Sequence, residues 1–100
     1  MYSNAYVWSR VLSYLEQNYP SVAVTFFDDT EVVEITEQKM VLYSPTEFRK
    51  EMILNRYGSY IQEAMQELFR SSIELVVLDD TEFPKYTGEK KKTLLRLQTQ

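Results

Sequence analysis

Apolar residues recur at three- and four-residue intervals from the start of the chain: Val7, Trp8, Val11, Leu12, Tyr14 and Leu15. That spacing predicts an amphipathic helix over about Ser3 to Asn18, capped by Ser3 or Asn4 and stopped by Pro20. Ser21 to Phe27 (SVAVTFF) reads two ways. Its β-branched residues suit a strand, and its length suits a short second helix. Val33 and Ile35 then alternate with Glu34 and Thr36, and Val41 and Tyr43 with Met40 and Leu42. The alternation predicts strands over Glu31 to Thr36 and Met40 to Tyr43, joined through Glu37-Gln38-Lys39 as a hairpin buried on one face.

Ser44-Pro45-Thr46-Glu47 has the form of a capping box, with Ser44 as the cap, Pro45 at the first helical position and Glu47 reaching back. From there Phe48, Met52, Ile53, Tyr57, Ile61, Ala64, Met65, Leu68 and Phe69 keep one helix face apolar. Gly58 interrupts it at a cost of about 1 kcal/mol relative to alanine, and the helix either bends there or runs on. Ile73 to Leu78 is a short apolar run that predicts a third strand. From Asp79 the pattern fails, and Pro84 and Gly88 punctuate a polar stretch. The expected organisation is one domain over residues 1–78 and a flexible polar linker or tail over 79–100. Helix, helix, strand, strand, long helix, strand makes an α+β fold, with helices packed against a small three-stranded sheet.

One hundred residues suffice for a single domain with a thin core, burying roughly 60–65% of the unfolded chain's surface. With neither cysteine nor histidine, disulfides, thiolate or imidazole metal sites and a Ser-His-Asp triad are all excluded. Gly58 and Gly88 are the only glycines, and neither opens a phosphate-binding loop. No metal, no cofactor and no catalytic residue is expected. No apolar run approaches the ~20 residues of a membrane span, and the N-terminus lacks the regions of a signal peptide. A cytoplasmic protein is the expectation.

Charge is unevenly spread. Residues 1–82 hold six Lys/Arg and fourteen Asp/Glu, a net −8, while residues 83–100 hold five and one, a net +4. An acidic body is a poor partner for a phosphate backbone. Lys90-Lys91-Lys92 would add at most a weak, non-specific attraction. Asp-Asp-Thr-Glu occurs twice, at Asp28 to Glu31 and Asp79 to Glu82. Clustered oxygens suit a hard cation, but neither copy has the glycine and distal glutamate of a calcium loop, and such runs usually form solvated turns.

Val41-Leu42-Tyr43-Ser44-Pro45-Thr46-Glu47-Phe48, followed by Ile53 and Arg56-Tyr57, resembles the pattern of the N-terminal domain of the bacterial replication initiator DnaA. Trp8 followed by Val11-Leu12 and Leu15 is similar to the start of that domain's first helix. The resemblance covers about residues 6–78 and implies a KH-like α-α-β-β-α-β fold, favouring helix for Ser21 to Phe27. It also implies a non-enzymatic interaction module at the front of an initiator whose ATPase and DNA-binding domains lie elsewhere. Such a module self-associates weakly and docks the replicative helicase or regulators of initiation.

Carried over residue by residue, the resemblance points to Thr25, Phe26, Thr46, Phe48 and Arg49 as partner-binding residues and to Trp8 as a self-association contact. The pattern alone favours Trp8 as a core aromatic on the helix stripe over a self-association contact, and leaves Phe48 as either interface or core. Two features depart from the family. The tryptophan of its second helix is replaced by Phe26 or Phe27, and its acidic helicase-contact position falls at Val22 or Ala23. An alternative function is a KH-like binder of single-stranded nucleic acid, which needs a GXXG loop and a positive groove that this sequence lacks. A purely structural dimer is a third.

Overall fold

The computed structural model describes residues 2–22 and 24–88. Helix α1 spans Asn4–Asn18, and Ser3 caps it by accepting from the Tyr6 N–H at 3.1 Å. Val7, Val11 and Leu15 line its buried face. Tyr19 closes it through a 2.8 Å bond to the Leu15 carbonyl, and Pro20 stops it. The segment that read as strand or helix forms one 3₁₀ turn, Val24–Phe27. Amides of Asp28 and Thr30 donate to the carbonyls of Thr25 and Phe27, so the turn is closed by local bonds, and Phe27 is its buried residue.

Strands β1 (Glu31–Ile35) and β2 (Lys39–Tyr43) form an antiparallel hairpin with a bulge between Val32 and Glu34. The Thr36 hydroxyl accepts from the amides of Gln38 and Lys39 and shapes the turn. Strand β3 (Glu74–Leu78) pairs parallel to β2, giving the order β1-β2-β3. The expected α+β architecture holds, with a three-stranded mixed sheet.

The long helix is one continuous run in three parts: α2 (Glu47–Met52), a π turn (Ile53–Tyr57) and α3 (Gly58–Phe69). The interruption expected near Gly58 is therefore a π insertion immediately before it, the sort of local irregularity that re-aims a helix face. Gly58 keeps a helical φ of −57° and faces β3, where an added Cβ would stand 3.6 Å from Leu75 Cδ2. Met40, Leu42, Ile53, Ile61, Val11 and Leu15 meet in the core between helices and sheet.

The hairpin is not buried on one face alone. Met40, Val41 and Leu42 are all fully buried. Lys39, Val41 and Tyr43 share the face away from the core, and the chain after β3 covers it. Phe83 packs on Tyr43 with ring centres 4.9 Å apart, Tyr86 donates to the Glu34 carboxylate at 2.5 Å, and Lys39 lies over the Tyr86 ring. A helical stretch over 83–88 carries these contacts. So Phe83 and Tyr86, which fall in the expected flexible tail, contact side chains of β1 and β2. Residues 89–100, with the Lys90-Lys91-Lys92 run, lie outside the described residues. No described helix is long and apolar enough to cross a membrane.

Candidate functional site

The residues singled out around Phe48 gather at the start of the long helix. Ser44 is not the cap. Its amide donates to the Leu78 carbonyl at 2.9 Å, so it still belongs to the sheet, and its side chain is fully buried. The helix cap therefore falls two residues later. Thr46 is the cap, with extended backbone and its hydroxyl accepting from the Arg49 amide at 3.2 Å. Glu47 becomes the first helical residue and favours that end by its charge.

Helix α2 buries none of its own residues. Two consecutive cations fasten it instead. Arg49 donates through Nη1 to the Phe26 carbonyl at 2.6 Å, lays its guanidinium 5.0 Å from the Phe26 ring centre, and approaches the Asp29 carboxylate at 3.9 Å. Lys50 pairs with Glu82 at 2.6 Å, and this hydrogen bond raises the pKa of its ammonium group against the opposing effect of burial. The two Asp-Asp-Thr-Glu turns thus each hold one cation. In the second turn, Asp79 is buried and accepts from the Thr81 hydroxyl and from the amides of Thr81 and Glu82, which depresses its pKa.

Phe48 points outward and is 70% exposed, the most exposed large apolar side chain among the described residues. Thr25 and Thr46 are exposed, while Phe26 is half-buried under Arg49. Behind this surface runs a chain of ring contacts. Phe26 meets Phe27 edge-on at 5.4 Å and Tyr57 at 5.2 Å, and Phe27 in turn meets Tyr57 at 5.6 Å. Trp8 is half-buried and reaches the same group edge-on through Phe27 at 5.7 Å. The structure brings Phe26 and Arg49 into direct contact and joins Trp8 to them only through Phe27.

Asp29, Phe27 and Tyr57 support the corner without having been singled out. Arg56-Tyr57 carried part of the resemblance, and Asp29 stood in an acidic turn read as merely solvated. No one-dimensional signal marked their contact with Arg49 and Phe26. Val22, one of the two positions at which the family's acidic residue would fall, is buried. Ala23 lies outside the described residues.

Elsewhere, Tyr14 and Tyr19 both donate to the Glu63 carboxylate, at 2.6–2.7 Å. These bonds hold the Glu63 pKa below the usual carboxylate range and push Tyr14 up to about 12. They join α1 to α3. Among the described residues no three acidic side chains stand together as a metal site.

A small α+β domain of helices packed on a three-stranded mixed sheet, with Phe48 exposed at the start of the long helix, defines the class. The DnaA N-terminal domain family model matches residues 5–67, more than half of the chain, and the chain belongs to that family. It is a family of non-catalytic interaction domains of the DnaA replication initiator. The matched span includes Trp8, Thr25, Phe26, Thr46, Phe48 and Arg49 and stops short of Phe69 and β3. No curated protein matches the chain.

Proposed function

We propose that this domain docks partner proteins of replication initiation, the replicative helicase or regulators of initiation, through the corner formed by Thr25, Phe26, Thr46, Phe48 and Arg49. The observation that carries the reading is Phe48: a phenyl ring left 70% exposed on a helix whose neighbouring side chains are held in place. Exposed aromatics next to arginine are the usual anchors of protein interfaces. Arg49 is already fixed by Phe26 and Asp29, so little side-chain freedom is lost on binding. Glu47 and Glu51 flank Phe48 on the helix, and Asp29 lies against Arg49, which disfavours a phosphate backbone as the ligand. The same reading includes weak self-association, with the exposed part of Trp8 as one candidate contact, and a cytoplasmic setting.

Isothermal titration of the chain with the cognate helicase and regulators tests it. Phe48→Ala should weaken binding of at least one partner by more than about tenfold while leaving the fold intact. Unchanged affinity for every partner would overturn the reading.

A further inference from the structure

Helix α2 reads Glu47-Phe48-Arg49-Lys50-Glu51-Met52, two acids and two bases around one phenylalanine, and is neutral along the chain. The fold does not leave it neutral. Arg49 is engaged within the domain, donating to the Phe26 carbonyl, lying 5.0 Å from the Phe26 ring centre and approaching Asp29 at 3.9 Å. Lys50 is held 2.6 Å from the Glu82 carboxylate. Glu47 and Glu51 are both exposed, and neither is in an ion pair among the described residues. Glu51 accepts from a neutral donor, the Asn55 amide at 3.3 Å, which steadies the carboxylate without cancelling its charge.

The two acids stand on one side of the exposed ring. At 100° per residue Glu51 and Glu47 lie about 60° and about 100° to one side of Phe48, and Arg49 lies about 100° to the other. Glu51, three residues on, is a direct neighbour of Phe48 on the helix surface, with Cβ atoms roughly 5–6 Å apart. Phe48 itself is 70% exposed. A partner therefore meets a phenyl ring with an acidic flank on one side and, on the other, a guanidinium already turned onto Phe26 and Asp29. A pocket that closes over the ring brings its rim against both carboxylates.

We infer that the partner's docking site joins an apolar pocket for Phe48 to a flank of lysine or arginine side chains that meets Glu47 and Glu51. A rim without cations would leave two carboxylates partly desolvated and unpaired, and an acidic rim would repel them; both oppose closure over the ring. No acid is called for on the other side, because Arg49 is already paired. The ring sets how long the complex lasts, and the acidic flank sets its orientation and the speed of encounter. The inference rests on the docking reading and names the chemistry of the partner that fits it.

Stopped-flow binding of the full chain to the cognate replicative helicase, and to each regulator, tests it. Glu51→Lys and Glu47→Lys should each lower kon by at least about fivefold and flatten its fall with added salt. Phe48→Ala should act on koff instead, raising it by about tenfold or more. Glu67→Lys makes the same change of net charge at an exposed position roughly 30 Å further along the long helix, and should leave kon within about twofold of the wild type. Glu51 lies beyond the first turn of α2, so its reversal keeps the helix start in place even where Glu47→Lys loosens it. If Phe48→Ala weakens binding while Glu51→Lys acts no more strongly than Glu67→Lys, or tightens the complex, this assignment is overturned and the docking reading stands. If Phe48→Ala leaves every partner bound as before, the docking reading falls and takes this one with it.

Discussion

The Lys50 ammonium lies 2.6 Å from the Glu82 carboxylate, so the segment that follows β3 is tied to the helix that presents Phe48. With Arg49 bound to Phe26 and Asp29 on the other side, α2 is clamped between the turn before β1 and the turn after β3. This is how a helix without a buried residue keeps a fixed position.

The covering of Val41 gives the first prediction. A chain ending at Leu78 loses Phe83 and Tyr86 and exposes Val41 and part of Tyr43. Exposing a buried valine costs roughly 1.5–3 kcal/mol, and the solvated Lys50–Glu82 pair adds no more than about 1. Urea unfolding of the shortened chain should give a stability lower by about 2–3 kcal/mol. Glu82→Gln in the full chain should cost less than about 1, since Glu82 is 40% exposed.

The displaced cap can be read from two alanine substitutions. Thr46→Ala removes the hydroxyl that holds the Arg49 amide and should cost about 1 kcal/mol. Ser44→Ala removes a buried hydroxyl that has no hydrogen-bond partner and should be neutral to within about 0.5 kcal/mol, or slightly stabilising. A capping box at Ser44 would give the reverse order in thermal melts.

Two phenylalanines separate packing from docking. Phe27 is 2% exposed and supports both Phe26 and Trp8, so Phe27→Ala should cost about 3 kcal/mol and weaken partner binding with it. Phe48→Ala should change stability by less than about 0.5 kcal/mol. Comparing unfolding and binding for the two variants checks the distinction.

Glu63 sets a pH dependence with two limbs. Its folded pKa is depressed by the Tyr19 and Tyr14 hydroxyls, so it contributes stability above its unfolded pKa that is lost as pH falls through the folded value. Tyr14 runs the other way. Its pKa rises from 10.0 to about 12, so that contribution is complete below pH 10 and fades as pH climbs toward 12. Glu63→Gln should lower stability at neutral pH and flatten both limbs, measured as unfolding free energy across the pH range.

Much of the fold was legible along the chain because local periodicity carries it. Val7, Val11 and Leu15 marked the buried face of α1, and Ser3 marked its cap. Alternation in β1 and β2 and the apolar run of β3 announced the strands. What periodicity misjudged were places where a distant segment intervenes. Ser44 looked like a cap because its partner in the sheet, Leu78, is thirty-four residues away. The tail looked free because the surface it covers belongs to β2. The SVAVTFF segment had too few residues for its propensity to outweigh the local bonds that close a 3₁₀ turn.

The candidate site divides in the same way. Phe48 and Arg49 were recognisable from a linear motif, which lies inside the span the family model matches. Tertiary structure decided that Phe48 faces solvent, that Arg49 turns back onto Phe26, and that Trp8 reaches the corner only through Phe27. It also brought Tyr2, Glu37 and Phe69 to one groove. By itself the sequence determined most of the elements, the acidic balance and the lack of any cysteine or histidine chemistry, since those depend on residue identity and short-range spacing. Which aromatic ring was left for a partner depended on what the rest of the chain had already covered, and burial is a property of the folded whole.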